Sequence, residues 1–140
     1  MIVVDVGVIA TAVTDDGPDG DAVRRRLLGE DLAAPELIDL EVVSVLRRLT
    51  RTRQLTARRA GHALTDLGDL PLHRVGHRQM LGRCWELRDN LTIYDAAYVA
   101  LAGALDVPLL TADRHLSRAP GPRCAIEVLT VGGPGTDNAE

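Results

Sequence analysis

Two aspartates lie at the two ends of one predicted helix–strand unit, with a spacing that brings their carboxylates together. Thr92 is a good N-cap for a helix that carries Asp95 at its third position. That helix should end near Asp106, because the short apolar run 108–110, which begins with proline, is typical of a buried strand. The connection is so short that the helix must end where the strand starts. The start of the helix, with Asp95, then lies at the same edge of the fold as Asp113, which follows the strand.

Two further acids are predicted to reach the same edge. Asp5 directly follows the apolar strand segment 2–4, and Glu41 lies in the second turn of a helix that follows residue 34. Ligand sites in parallel α/β sheets form beyond the carboxyl ends of the strands, so the four carboxylates should converge there. The helical periodicity does not choose Glu41 over Asp39, because the two lie equally far, about 80°, on either side of the centre of the apolar stripe.

Converging carboxylates repel one another and raise each other's pKa unless cations lie between them. Oxygen ligands without an associated cysteine or histidine suit Mg²⁺ or Mn²⁺ better than Zn²⁺. Such ions lower the pKa of a bound water and hold a phosphodiester for in-line attack, which is the chemistry of a nuclease.

Each acid also has a purely structural interpretation. Asp5 would close a turn after its strand, and Asp113 would cap the next helix. Asp95 would only complete the helix cap, and Glu41 would lie at the edge of an amphipathic helix.

The elements that position these acids alternate between strand and helix, which predicts an α/β fold with a parallel sheet covered on both faces. The predicted strands are residues 2–4, 32–34, 71–75, 108–110 and 125–131. The predicted helices are residues 7–13, 22–28, 35–49, 57–67, 76–88 and 93–106. At 140 residues, with 46% hydrophobic and 26% charged residues, the chain is expected to form one domain over residues 1–131 and a disordered tail over residues 132–140.

The composition excludes several other classes of function. All 16 basic residues are arginine, so the chain lacks the lysine that a P-loop or a Schiff-base enzyme needs. One tryptophan, two tyrosines and no phenylalanine are too few for a platform that stacks nucleic-acid bases. No apolar run approaches the roughly 18 residues of a membrane span, and no signal peptide precedes the first strand, so a cytoplasmic protein is expected.

Two other groups of residues have competing interpretations. Tyr94 and Tyr98 lie on a stripe at helical spacing, which favours packing in the core or in a dimer over base stacking. Six arginines cluster at the end of the helix over residues 35–49 and the start of the next helix, namely Arg47, Arg48, Arg51, Arg53, Arg58 and Arg59. They would form either a solvated face or a basic surface that holds a phosphate backbone near the acids.

Four segments carry a resemblance to a known family. They are Val3-Val4-Asp5, the segment 35–41 with Leu46-Arg47-Arg48, the segment 91–98 containing Tyr94-Asp95-Ala96, and Leu110-Thr111-Ala112-Asp113. In order, spacing and length they resemble the acidic motifs of PIN-domain proteins, most of all those of the VapC toxins of type II toxin–antitoxin systems. The resemblance extends over residues 1 to about 130. It implies a three-layer α/β/α fold around a mostly parallel sheet of about 4–5 short strands.

The resemblance also implies a Mg²⁺- or Mn²⁺-dependent endoribonuclease that hydrolyses RNA phosphodiester bonds, with tRNA or rRNA as the expected substrate. The metal-binding and catalytic acids would be Asp5, Glu41, Asp95 and Asp113. This selects Glu41 over Asp39. Proteins of this family are similar in forming homodimers and in being neutralised by a small cognate VapB antitoxin that covers the site.

One position departs from the family pattern. The first acid is usually followed two positions later by Ser, Thr or Asn, which supports the metal or its waters, whereas this chain has Gly7 there. Loss of such a supporting hydrogen bond lowers metal affinity or activity by roughly 10–100-fold. The alternative function is therefore a catalytically weakened PIN module that mainly binds antitoxin or RNA.

Overall fold

The computed structural model describes residues 1–130, in which strands and helices alternate along the chain. The strands are β1 (Ile2–Val4), β2 (Leu32–Pro35), β3 (Leu72–Val75), β4 (Leu109–Thr111) and β5 (Ile126–Val128). The helices are α1 (Val6–Thr14), α2 (Pro18–Leu27), α3 (Ile38–Arg51), α4 (Ala57–Asp69), α5 (Leu81–Glu86, after a short 3-10 turn at Arg78–Met80), α6 (Ile93–Leu105) and α7 (Arg114–Arg118). The predicted tail, residues 132–140, lies outside the described residues. Within residues 1–130, no helix has the length and apolar character needed to cross a membrane.

The five strands form one sheet in the order β3-β2-β1-β4-β5, and every neighbouring pair is parallel. The chain moves outward from β1 to β3 and then returns to place β4 on the other side of β1. The direction of winding therefore reverses between β1 and β4. Ligands of such folds bind in the crevice at this reversal, beyond the carboxyl ends of the strands. The predicted parallel sheet of short strands is confirmed.

Helices lie on both faces of the sheet, which confirms the predicted three-layer arrangement. α6 contacts β1, β2 and β4, whereas α1 contacts β4 and packs against α2, α3 and α4. All residues from 96 to 102 of α6 are buried, so this helix lies inside the protein rather than on its surface. Its many alanines allow close packing on the sheet, and this packing fixes the helix start at the ligand-binding edge.

The predicted loop over residues 14–21 is shorter in the structure, because α2 begins at Pro18. Gly17 is its N-cap, and proline suits the first turn of a helix, where no N–H is needed. Gly20 packs against the end of α1 so closely that a Cβ atom would lie 1.8 Å from the Asp15 carbonyl oxygen. A compact α1–α2 corner thus replaces the expected loop.

Pro35 was predicted in the first turn of a helix but is the last residue of β2. It pairs with Val75 of β3, and the N–H of Glu36 extends this pairing by donating to the Val75 carbonyl at 2.9 Å. α3 therefore begins only at Ile38. The strand pairing sets this boundary, and it depends on a segment about 40 residues later in the sequence.

Candidate active site

Asp5 lies where β1 ends and α1 begins, next to β4. Its backbone N–H donates to the Leu110 carbonyl at 3.2 Å, which continues the pairing of β1 with β4. Its side chain is the N-cap of α1, because Oδ1 accepts the Val8 N–H at 3.1 Å. These two contacts hold the half-buried carboxylate at the point where the direction of winding reverses.

Thr111, the last residue of β4, links two of the acids. Its side chain is fully buried, and its hydroxyl donates to Asp5 Oδ2. The Thr111 hydroxyl oxygen also accepts the Asp113 N–H at 3.0 Å. Asp113 is exposed and caps α7 by accepting the His115 N–H at 2.8 Å. Thr111 therefore bonds the backbone of Asp113 and the carboxylate of Asp5 with one hydroxyl group.

Asp95 reaches the same edge from the start of α6. Thr92 is the N-cap, as predicted, and its hydroxyl accepts the Asp95 N–H at 3.1 Å. The Asp95 carboxylate is half-buried, and among residues 1–130 it forms no ion pair with an arginine or histidine side chain. The first turn of a helix also favours a negative charge, because the helix dipole is positive there.

The structure distinguishes the two acids of α3 that periodicity left equivalent. Both oxygens of Asp39 accept from Arg74 Nε, at 3.0 and 2.8 Å, so this carboxylate is held on the side of β3. Glu41 points the other way, and its Oε1 accepts from the Tyr98 hydroxyl at 2.7 Å. Glu41, not Asp39, therefore lies toward α6 and Asp95.

The four acids influence one another electrostatically. Burial raises the pKa of Asp5, the hydrogen bonds from Thr111 and Val8 oppose this rise, and the charges of Asp95 and Asp113 add to it. Burial also raises the pKa of Asp95; the bond to the Thr92 cap opposes the rise and the charge of Asp113 adds to it.

Glu41 belongs to the same set of interacting charges. Burial raises its pKa, the Tyr98 hydrogen bond opposes the rise, and the charge of Asp95 adds to it. These repulsions link Asp5, Asp95 and Asp113 to one another, and they link Glu41 to Asp95.

We expect the metal-free protein to gain stability as the pH falls through the raised pKa values of three site carboxyls toward their ordinary values of about 4. A carboxyl whose pKa is higher in the folded state binds more protons when folded, so acidification favours folding between the two pKa values. Asp5, Glu41 and Asp95 all shift in this direction. The pKa values of Asp16 and Glu127, which pair with arginines, are lowered, so these two acids cost stability only at still lower pH. Thermal melting in EDTA at several pH values measures the effect.

In the same experiment, Asp95→Asn should raise the Tm at pH 7 and make the pH dependence flatter, because one of the three repelled carboxylates is then neutral. An Asp95→Asn protein with the same Tm and the same pH dependence as the wild type would contradict the raised pKa of Asp95.

As donors, these residues fit a hard divalent cation, because they offer only carboxylate oxygens. The arrangement is open. Among residues 1–130, no group of three or more Asp, Glu, His or Cys side chains is placed to hold a metal ion as it stands. Mg²⁺ does not need such a cage, since it keeps several waters and commonly takes one or two carboxylates together with substrate phosphates. A hard divalent cation therefore fits the donor chemistry of these residues, which do not by themselves form a closed cage for it.

Tyr98 is the site residue whose role the sequence did not reveal. Its ring is buried, whereas Tyr94 of the same predicted stripe is exposed. The Tyr98 hydroxyl bonds Glu41, which lies 57 positions away in the sequence. The only sequence signal was its position one turn after Asp95, on the same face of the helix.

The arginine cluster begins within two turns of Glu41 on α3. Five of its six members are exposed, and along the helix axis Arg48 lies roughly 10 Å and Arg51 roughly 15 Å from Glu41 at ~1.5 Å per residue. The sixth, Arg59, instead pairs with Asp16 at 3.0 Å and donates to the Val13 carbonyl at 2.9 Å. The five exposed arginines remain compatible with either a solvated face or a surface that holds a phosphate backbone near the acids.

Comparison with known proteins identifies the family. A family model described as the PIN domain matches residues 2–122. The chain is 42% identical over 129 residues to Ribonuclease VapC1 of Mycobacterium tuberculosis, and the match covers 91% of this chain and 96% of that protein. It is 40% identical over 129 residues to Ribonuclease VapC9 of the same organism, with coverages of 92% and 98%.

Two solved structures share the fold at low sequence identity. One is VapBC2 from Rickettsia felis bound to a DNA fragment from their promoter, with a TM-score of 0.67, 14% identity, and coverage of 91% of this chain and 98% of that chain. The other is VapC20 of Mycobacterium tuberculosis, a toxin that cleaves the sarcin-ricin loop, with a TM-score of 0.62, 15% identity, and coverages of 84% and 94%. By its domain match and its relatives near 40% identity, this chain belongs to the PIN-domain family and, within it, to the VapC proteins.

Proposed function

We propose that this protein is the toxin of a type II toxin–antitoxin system and acts as an endoribonuclease that hydrolyses phosphodiester bonds of RNA, with tRNA or rRNA as substrate. The observation that carries the proposal is a set of interacting carboxylates from four segments, formed by Asp5 after β1, Glu41 on α3, Asp95 at the start of α6 and Asp113 after β4. The names of the relatives at 40–42% identity, all ribonucleases, support the reaction class.

We infer that Mg²⁺ or Mn²⁺ is the cofactor of this site. The four carboxylates would hold the ion, since hard cations prefer oxygen ligands. When bound, such an ion supplies a water of lowered pKa and offsets the negative charge of the phosphodiester. The raised pKa values of three of the acids in the metal-free protein support this inference, because a nearby cation would relieve their repulsion.

The chain's own groups have separate tasks in this proposal. Thr111 keeps Asp5 and Asp113 in a fixed relation by bonding both. We assign the proton of the attacking water to Asp95 or Asp5, because a raised pKa makes a carboxylate a better base near neutral pH. Attack at phosphorus forms the new P–O bond and breaks the bond to the 3′ oxygen, which takes up a proton from solvent. The products are a 5′-phosphate and a 3′-hydroxyl.

The expected partners follow from membership of the VapC proteins. A small VapB-type antitoxin would bind the protein and cover the acids, and the protein would form a homodimer. One structural neighbour is itself a VapBC complex, which supports the antitoxin as a partner. Since tRNA and rRNA are cytoplasmic, we place the protein in the cytoplasm.

Expression in a bacterial host tests this function. Induction of the wild-type protein should arrest growth and produce cleaved tRNA or rRNA with 5′-phosphate ends, and coexpression of a short neighbouring reading frame should restore growth. Asp95→Asn should allow growth at the same expression level. Normal growth and intact RNA at high levels of folded wild-type protein would contradict the proposal.

Gly7 favours one alternative, a catalytically weakened VapC module that mainly binds antitoxin or RNA. A Cβ atom at this position would have Asp5 Oδ1 at 3.7 Å as its nearest neighbour, an ordinary contact. A serine side chain therefore fits beside the Asp5 carboxylate, where its hydroxyl could support the ion or its waters.

We expect Gly7→Ser to raise the rate of RNA cleavage by about tenfold, at the lower end of the roughly 10–100-fold effect of groups that support metal ligands. Gly7→Ala is the matched control, since it adds the Cβ without the hydroxyl, and should leave the rate close to that of the wild type. Equal rates for the wild type, the alanine variant and the serine variant would show that the natural site is not impaired at this position.

A further inference from the structure

The buried hydroxyl of Tyr98 contacts one of the proposed metal ligands. Its side chain is 1% exposed, and the hydroxyl donates to Glu41 Oε1 at 2.7 Å. Tyr98 lies one turn after Asp95 on α6. The helix that carries one acid of the site therefore also holds a second acid, which belongs to α3.

Packing alone does not explain a tyrosine at this position. Phenylalanine would fill the same core volume, whereas a buried hydroxyl is unfavourable without a hydrogen-bond partner. The other two aromatic side chains, Trp85 and Tyr94, are 64% and 66% exposed. Tyr98 is thus the one aromatic ring of the chain that is buried, and its polar atom is directed at the acidic site.

The contact restrains a side chain that has little other support. Asp5 is held at both oxygens, by the Val8 N–H and the Thr111 hydroxyl. Glu41 has one more rotatable bond than aspartate, and among residues 1–130 the Tyr98 hydroxyl is the one group that donates to its carboxylate. Since an ionised carboxylate only accepts hydrogen bonds, the tyrosine must be the donor, and the Oε2 atom of Glu41 stays available to a ligand.

We propose that Tyr98 is a positioning residue of the cation site: its hydroxyl holds Oε1 of Glu41 and thereby keeps Oε2 free to bind the cation. The inference rests on the proposed function, because it assumes that Glu41 binds a divalent cation. It adds a residue that contacts neither the ion nor the RNA and acts through Glu41.

Tyr98→Phe tests this role because it removes only the hydroxyl. Binding of Mn²⁺ to the metal-free protein, followed by electron paramagnetic resonance, should weaken by about tenfold, within the roughly 10–100-fold range for partners of metal ligands. In cleavage assays, the Mn²⁺ concentration for half-maximal rate should rise by the same factor, while the rate at saturating Mn²⁺ changes much less. Unchanged Mn²⁺ affinity in folded Tyr98→Phe would overturn the inference.

Two further variants separate positioning from a merely structural effect. Tyr94→Phe makes the same chemical change on an exposed residue of α6 and should bind Mn²⁺ like the wild type. In a Glu41→Gln background, Tyr98→Phe should cause no additional loss of Mn²⁺ affinity, because the ligand that it positions is already absent. An additional tenfold loss of Mn²⁺ affinity in that background would overturn the inference, because it would show that Tyr98→Phe damages the fold in general.

A spectroscopic measurement covers the case in which Tyr98→Phe does not fold. Tyr94→Phe leaves Tyr98 as the only tyrosine of the chain. Addition of Mg²⁺ to this variant should produce a tyrosine difference spectrum. The reason is that a cation bound to Glu41 would alter the charge next to the Tyr98 hydroxyl. Saturating Mg²⁺ binding without any tyrosine signal would overturn the inference. If the wild type itself binds neither Mn²⁺ nor Mg²⁺, the proposed cation site fails instead, which is a distinct result.

Discussion

Replacing Asp5 by asparagine is expected to lower RNA cleavage by more than about 100-fold. Loss of a group that only supports a metal ligand costs roughly 10–100-fold, and Asp5 is proposed to be a ligand itself. The fold should persist, because asparagine is as good an N-cap as aspartate and still accepts the Val8 N–H. The Thr111 hydroxyl can rotate to accept from the new amide. Initial rates on a tRNA substrate in Mg²⁺ or Mn²⁺ measure the loss.

Asp15→Asn is the matched control for this variant. Asp15 follows the other end of α1, where its side chain also accepts a backbone N–H, from Gly17 at 2.7 Å. This substitution preserves that bond and is remote from the acids, so cleavage should stay within about twofold of the wild type. A similar rate for the Asp5 and Asp15 variants would contradict the role assigned to Asp5.

The second large effect is an asymmetry between the two acids of α3. Glu41→Gln should also reduce cleavage by more than about 100-fold, because glutamine keeps the bond from Tyr98 but lacks the charge that holds a cation. Asp39→Asn should leave cleavage nearly unchanged, since the carboxylate of Asp39 is engaged by Arg74. That partly exposed ion pair is expected to contribute only about 0.2–1 kcal/mol to folding.

Thermal melts of the two α3 variants provide the accompanying control. Glu41→Gln should melt at or above the wild-type temperature, because it removes a carboxylate whose pKa is raised by burial, whereas Asp39→Asn should melt slightly below it. If Asp39→Asn abolishes cleavage and Glu41→Gln does not, the assignment of the site on α3 is wrong.

The fold could be predicted from the sequence where local signals were strong. The strand over residues 2–4, the capped helix after Thr92 and the short connection before Leu109 fixed the positions of Asp5, Asp95 and Asp113 at one edge of the sheet. These positions depend only on where an element starts or ends. Such information is contained in a few neighbouring residues, such as a cap or a proline.

The parts that could not be predicted depend on contacts between distant segments. Periodicity left Glu41 and Asp39 equivalent, because the two sides of an amphipathic stripe are symmetrical until a neighbour is known. The neighbours are Tyr98 and Arg74, which lie 57 and 35 positions away. The same reason explains Arg59, which joined an ion pair with Asp16 instead of a basic surface, although all six clustered arginines looked alike in the sequence.

The central claim is that the four carboxylates form a divalent-cation site that hydrolyses RNA. The most direct test is cleavage of tRNA and rRNA fragments by the purified wild-type protein in Mg²⁺, in Mn²⁺ and in EDTA, beside Asp5→Ala and Asp95→Ala. We predict cleavage with 5′-phosphate products by the wild type in at least one of the two metals, none in EDTA, and a loss of more than about 100-fold in both variants. Equal behaviour of all three proteins under every condition would contradict the claim.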